Sequence, residues 1–316
     1  MIVTKKRTID LPMLDQLRGR IVHDLPLARY TRWRVGGSAD IAFFPLDIDD
    51  LTRFLRMLPE TIPLTLIGLG SNVLIRDRGV RGAVVLLQDI QEEPNIDQEG
   101  AIYAPGGLST PKLARFAAQH HYIDAAFLVG IPGTVGGALA MNSGCYGDEI
   151  WRHVLNVNVL RRDGVFISRI PEEYMIDYRR VVLRPESGET QFEIFVGAKL
   201  IFKRDKKRDI SENLAEIKRL LAKRAETQPQ NVPNAGSVFR NPPNDYAGRL
   251  IEMCGLKGTT IGGAQISEKH ANFIVNKSGA ASAKDIETLI GLIQKHVREA
   301  TGIELTPEIK IIGEAS

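Results

Sequence analysis

The chain has 316 residues, a formal net charge of +3 and an apolar fraction of 43%. That length supports two or three cores, the small charge argues against a nucleic-acid partner, and no apolar run reaches the ~18 residues of a membrane span. Two cysteines, Cys145 and Cys254, and six scattered histidines offer neither a disulfide framework nor a metal site, and residues 1–20 lack the apolar core of a secretion signal, so a reduced, cytoplasmic enzyme without a metal is expected.

The spacing of Leu11, Leu14 and Leu17 predicts a short helix over 8–20. An extended entry over 24–27 leads through Thr31-Arg32-Trp33-Arg34-Val35-Gly36-Gly37 to a strand over 40–44. A helix over 51–57, capped by Asp49 or Asp50, precedes a strand over 64–68 that breaks at Gly68-Leu69-Gly70-Ser71-Asn72. Extended runs over 73–75 and 82–87 follow, and a strand over 101–104 ends in Pro105-Gly106-Gly107. A helix over 110–120 then leads to the most distinctive stretch, 130–147, which is rich in glycine and almost free of charge.

A linker would be polar as well as glycine-rich, so this stretch reads as packed. Gly130-Ile131-Pro132-Gly133-Thr134 suggests a tight turn. The run from Val135 through Gly136, Gly137 and Ala138 to Met141 suggests a short buried helix, with free N–H groups at its glycine end as an anion site. A close-packed glycine crossing with no ligand is the competing reading.

Beyond it come a strand over 154–161, a turn at Asp163-Gly164, a short helix over 171–174, a basic corner at Tyr178-Arg179-Arg180, a strand over 192–202 and a helix over 212–227. The charged run 203–208 marks a domain boundary. A breaker-rich loop over 228–234 precedes a helix over 247–254, short strands over 262–266 and 273–276, a helix over 282–301 ended by Gly302, and a final strand over 309–312.

Neither glycine loop carries a standard nucleotide signature. Gly68-Leu69-Gly70 lacks the third glycine of the dinucleotide pattern, and there is no Gly-Lys-Ser/Thr. Two such loops, about sixty residues apart, suit a long ligand held along its length. FAD is the natural candidate, because its diphosphate takes backbone N–H donors, with Ser71 and Asn72 adding side-chain donors.

Seven blocks, 31–39, 68–72, 130–138, Tyr178-Arg179, 234–241, 262–276 and 305–313, occur in the order found in the UDP-N-acetylenolpyruvoylglucosamine reductase family, and the chain resembles that family over roughly residues 20–313. The run Pro233-Asn234-Ala235-Gly236-Ser237-Val238-Phe239-Arg240-Asn241-Pro242 is its most specific block. The short passage from Arg179 to the next strand looks like the subgroup without an extra tyrosine-bearing loop. The resemblance implies an α+β protein: a two-subdomain FAD-binding fold like that of vanillyl-alcohol oxidase over 1–203 (units 1–88 and 89–203), a substrate-binding α+β domain over 204–304, and a final strand over 305–316 returning toward the N-terminal unit. It also implies a monomeric, cytoplasmic, NADPH-dependent flavoenzyme of peptidoglycan precursor synthesis, with FAD held non-covalently and no nucleic-acid or membrane partner.

The implied chemistry reduces the enolpyruvyl ether of UDP-N-acetylglucosamine to the lactyl ether: NADPH reduces FAD, a hydride passes to C3, and a proton from Ser237 reaches C2. By the same resemblance Arg179 neutralises the substrate carboxylate and Glu308 polarises the enolate. Cofactor contacts are implied for Arg34, Gly36, Gly68, Leu69, Gly70, Ser71, Asn72, Gly130, Ile131, Pro132, Gly133, Thr134, Gly136, Gly137 and Ala138. Substrate contacts are implied for Tyr178, Asn241, Arg240, Lys257 and His270. Two rivals stay open: an FAD-dependent oxidase of the same cofactor fold acting on another alcohol or sugar, and a non-enzymatic nucleotide-sugar binding protein.

Overall fold

The computed structural model describes residues 16–90, 92–185 and 192–315. They form two compact units that the chain visits alternately. The first holds the described residues up to His23, then Asp40–Gly68 and Gly82–Leu221; the second holds Asp24–Ala39, Leu69–Arg81 and the chain from Ala222 onward.

The first unit contains two apolar cores. One is built on a four-stranded sheet in the order Arg20–Pro26, Ser38–Phe44, Val80–Leu86, Leu64–Ile67. Leu64 to Ile67 run parallel to Ala83 to Leu86, joined through residues 68–79; the helix Ile48–Met57 lies in the preceding connection, between Ser38–Phe44 and Leu64–Ile67. Its buried Leu51, Phe54 and Leu55 stand at helical spacing, and Phe54 stacks on Phe43 at 4.4 Å between ring centres. Asp47, rather than the expected Asp49 or Asp50, caps this helix by accepting the Asp50 N–H. Asp50 is buried and accepts the backbone N–H groups of Arg18, Gly19 and Leu46, the company a buried carboxylate requires. The helix expected over 8–20 falls outside the described residues as far as residue 15, and Arg20 already begins a strand.

The other core belongs to an antiparallel five-stranded sheet in the order Phe166–Arg169, Val154–Arg161, Glu193–Leu200, Ile102–Pro105, Asn95–Ile96. Val157, Val159, Ala198 and Leu200 share it with Leu113 and Ala117 of the helix Thr110–Gln119 and with Val135 and Leu139 of the helix Val135–Ala140. A Cβ on Gly136 would stand 2.5 Å from the Phe195 carbonyl oxygen, so only glycine lets this short helix press onto the sheet. In place of the short helix expected over 171–174, a 3-10 turn Pro171–Glu173 leads into a hairpin of Tyr174–Asp177 and Arg180–Leu183.

The second unit has one core. The helix Ala283–Thr301 starts with a capping box between Ser282 and Asp285 and stops at Gly302, whose φ is 73°. Its apolar face, with Ile286, Leu289, Ile290, Ile293 and Val297, packs with the helix Ala247–Met253 and the three-stranded sheet Thr260–Ile261, Ala264–Ile266, Ile274–Val275. Trp33, Val35 and Leu74 from early in the chain join this core. Trp33 Nε1 donates to the Ile274 carbonyl at 2.7 Å, and Asn276 Nδ2 donates to the Trp33 carbonyl at 2.9 Å. The final strand Lys310–Ile312 runs parallel to Val73–Ile75. Among the described residues no helix is long and apolar enough to cross a membrane, and no cluster of metal-ligating side chains occurs.

Candidate active site

Gly68, the first residue of its glycine loop, packs on Thr134 within the first unit: a Cβ on Gly68 would stand 2.8 Å from Thr134 Oγ1. The turn at Ile131, Pro132 and Gly133 is held by buried Thr110, whose N–H donates to the Gly133 carbonyl and whose hydroxyl donates to the Ile131 carbonyl. The expected free amides at the start of the short helix are not there. Val135 N–H donates to the Leu108 carbonyl, Gly136 N–H to the Gly106 carbonyl and Gly137 N–H to Thr134 Oγ1. Thr134 caps the helix and the sheet connection takes the rest, so the anion-binding reading of this helix end is corrected.

Unpaired donors lie instead in the loops before it. The N–H groups of Gly133 and Thr134, and those of Leu69, Gly70 and Asn72, have no acceptor among the described residues. Gly70 has φ 58° and would place a Cβ 1.9 Å from the Tyr30 carbonyl oxygen, and its own carbonyl accepts the Arg32 N–H. Gly36 packs on Ile75, while Arg34 is exposed with φ 58°. Gly137 is exposed, and a Cβ there would meet Thr134 Oγ1 only at 3.4 Å. Ala138 is buried and Gly130 closes on Cys145, so both serve the packing of the loop. Loops of unpaired amides on apolar strands fit the diphosphate of a cofactor such as FAD.

Arg179 sits at the hairpin tip. Asp177 pairs with Arg180, leaving Tyr178 and Arg179 as a two-residue turn in which Arg179 takes φ 56°. Its guanidinium donates to the carbonyls of Asn142 at 3.1 Å and Gly144 at 3.0 Å, and lies 5.1 Å from the Tyr178 ring centre. Those bonds fix where the cation points. The hairpin is anchored behind it by a buried network. Arg169 bonds Glu193 at 2.6 Å and Glu173 at 2.7 Å, and the Tyr174 hydroxyl donates to Glu193 at 2.6 Å. Burial first, and then the Glu193 carboxylate, push the Tyr174 phenol far above its ordinary pKa.

Ser237 and Glu308 come together through the backbone of the second unit. Val238 accepts the Glu308 N–H at 2.8 Å, Arg240 N–H donates to Thr306 at 2.9 Å, and Phe239 and Pro307 form a bridge. Ser237 follows Gly236, which has φ 78° and open space where a Cβ would be. Ser237 is half-buried, and its hydroxyl has no partner among the described residues. Asn72, whose side chain donates to the Glu308 carbonyl, ties the second part of the Gly68 loop to the same strand end.

The substrate-contact candidates differ in how committed they are. Asn241 Oδ1 accepts the Ala247 N–H, which leaves its Nδ2. Lys257 is paired with Glu252 at 2.6 Å. Arg240 and Glu308 are half-buried, and Tyr178 is exposed. His270 is half-buried against Phe273, and its Nδ1 accepts the Asn272 N–H at 3.2 Å, so the proton of the neutral ring is on Nε2. Its pKa is held below the usual value by burial first and by the charge of Lys257, with Glu252 opposing. Sequence reasoning missed Asn272, which is 3% exposed and grips the Val238-Phe239 backbone. A lone amide between Ala271 and the apolar run Phe273-Ile274-Val275 was the available signal, because buried polar groups are retained where they bond.

Comparison with known proteins agrees with this layout. Residues 39–168 match the FAD binding domain family, and residues 228–312 match the family described as UDP-N-acetylenolpyruvoylglucosamine reductase, C-terminal domain. A UDP-N-acetylenolpyruvoylglucosamine reductase from Legionella pneumophila (strain Lens) is 48% identical over 308 residues, covering 98% of this chain and 97% of the relative. One from Nitrosospira multiformis is 48% identical over 316 residues, covering 94% and 90%. The crystal structure of UDP-N-acetylenolpyruvylglucosamine reductase (MurB) from Thermus caldophilus superposes with a TM-score of 0.74 at 32% identity, covering 93% of this chain and 99% of that one. With near-half identity along almost its whole length, the chain belongs to the UDP-N-acetylenolpyruvoylglucosamine reductase family.

Proposed function

We propose that the chain performs the reaction for which its family is named, as an FAD-dependent UDP-N-acetylmuramate dehydrogenase of peptidoglycan precursor synthesis using NADPH, with Ser237, Arg179 and Glu308 as the catalytic groups. When bound, FAD would supply the redox chemistry that carries a hydride from NADPH to C3 of the enol ether. The unpaired amides of Gly133 and Thr134 would hold the cofactor's diphosphate without a covalent bond, and the remaining residues of the two glycine loops, with Arg34 and Gly36, are assigned to the cofactor by the family resemblance.

Arg179 pairs with the substrate carboxylate. Negative charge spreads from C2 onto that group as the double bond is reduced, and a fixed cation is worth most there. Ser237 delivers a proton to C2. The observation that carries this assignment is its hydroxyl: unpartnered among the described residues and backed by the open Gly236 turn. The carboxyl of Glu308 supports the enolate from the neighbouring strand end. Asn241, Arg240, Lys257, His270 and Tyr178 bind the nucleotide sugar. We assign the FAD-binding region to 1–203, the substrate domain to 204–304 and the closing strand to 305–316, and place the protein in the subgroup without the extra tyrosine loop, as a cytoplasmic monomer.

The test runs the reaction in deuterated water with NADPH and the enolpyruvyl sugar nucleotide. The lactyl product is expected to carry solvent deuterium at C2 and one reductant-derived hydrogen at C3. Deuterium at C3 with none at C2 would overturn the assignment.

A further inference from the structure

Every polar group of Asn272 is bonded, and each bond serves the proposed proton donor's surroundings. Its carbonyl accepts the Val238 N–H at 2.9 Å. Its Oδ1 accepts the Phe239 N–H at 2.9 Å, and its Nδ2 donates to the Phe239 carbonyl at 2.9 Å. Its N–H donates to His270 Nδ1 at 3.2 Å. The side-chain amide thus plays the part of a strand partner for the residues directly after Ser237. On the opposite edge the same residues bond the Thr306–Glu308 segment through Arg240 and Val238. Residues 238–240, which directly follow Ser237, are thus bonded on both edges.

We propose that Asn272 is the positioning residue of the proton-delivery step: its side-chain amide fixes the segment that follows Ser237 beside Glu308. The inference rests on Ser237 as proton donor. A carboxamide is needed because both an acceptor and a donor face Phe239. An ionised carboxylate of the same shape would keep the bond from the Phe239 N–H but set a lone-pair oxygen against the Phe239 carbonyl, whereas a protonated carboxyl reproduces both bonds. Misplacing a reacting group by about 1 Å costs on the order of 10²-fold.

Asn272→Asp therefore carries its own control. Reduction of the bound flavin by NADPH and reoxidation by the enolpyruvyl substrate are followed separately across pH in the holoenzyme, beside wild type, which carries the same Glu308 and His270. Reoxidation in Asn272→Asp is expected to fall on the order of 10²-fold at high pH and to recover as the new carboxyl takes a proton, with NADPH reduction and flavin content unchanged. Equal loss in both half-reactions would make Asn272 a folding residue only, and wild-type reoxidation at every pH would overturn the proposal. Should Asn272→Asp lose its flavin, Asn272→Ser takes its place, with slowed reoxidation at normal flavin content as the supporting result. Ser237→Ala measured alongside separates the two claims: fast turnover there removes the donor assignment itself, whereas slow Ser237→Ala with fast Asn272→Asp removes the positioning role alone.

Discussion

At the scale of single residues, two adjacent glycines separate packing from ligand space. Gly136 is blocked by the Phe195 carbonyl at 2.5 Å, so any side chain there is a folding defect. Gly137 is exposed and open, so Gly137→Val tests whether a cofactor occupies that space. The expected outcome is a purified protein with wild-type melting in the absence of added FAD and strongly reduced flavin absorbance; full flavin retention would remove Gly137 from the cofactor contacts. His270 gives a pH prediction. Its folded pKa lies below the ordinary value, so the unfolded chain takes the proton first. Its contribution to stability is therefore complete above about 6.5, the unfolded value, and is lost as pH falls from there toward the folded pKa. Denaturant melts of wild type and His270→Gln should diverge in slope only in that window, and parallel slopes would contradict the burial argument. The glycine loops stood out by residue type and order, whereas the roles of Ser237 and Arg179 were assigned only through the family resemblance. The satisfied amides of Val135, Gly136 and Gly137 were not legible, because their acceptors Leu108 and Gly106 come from a different element.

At the scale of elements, the hairpin bearing Arg179 shows where local reading ran short. Pro171-Glu172-Glu173 has the start of a helix, and the structure gives it one 3-10 turn before the chain extends. Extension wins because Tyr174 is buried, tilted against Trp151 with ring centres 5.1 Å apart and bonded to Glu193. None of these partners is a sequence neighbour. The same geometry argues that Arg179 is not replaceable by lysine. Two carbonyls, of Asn142 and Gly144, are taken by two guanidinium nitrogens, and an ammonium lacks that fork. Arg179→Lys and Arg179→Ala are both expected to slow reoxidation of the reduced enzyme by its carboxylate substrate by ~10²–10³-fold while NADPH reduction stays near wild type. Stopped-flow traces of the two half-reactions check this, and equal slowing of both would contradict a role confined to the carboxylate.

At the scale of the whole molecule, the length allows the three cores found among the described residues, and the α+β class came with the family resemblance; the first unit continues past the charged run 203–208 to Leu221. The path of the chain does not follow from the sequence patterns. Segments Asp24–Ala39 and Leu69–Arg81 belong with the last third, held by Trp33 on Ile274, by Asn276 on Trp33 and by the Val73–Ile75 pairing with Lys310–Ile312. Pairings across more than two hundred residues leave no local trace in hydrophobic period. The central claim is that Ser237 supplies the proton to C2, and the most direct measurement is single-turnover reoxidation of NADPH-reduced Ser237→Ala by the enolpyruvyl sugar nucleotide. The account predicts normal flavin content, normal reduction by NADPH, reoxidation slower by at least ~10³-fold, and partial recovery in Ser237→Cys. Reoxidation of Ser237→Ala within a few-fold of wild type would contradict it.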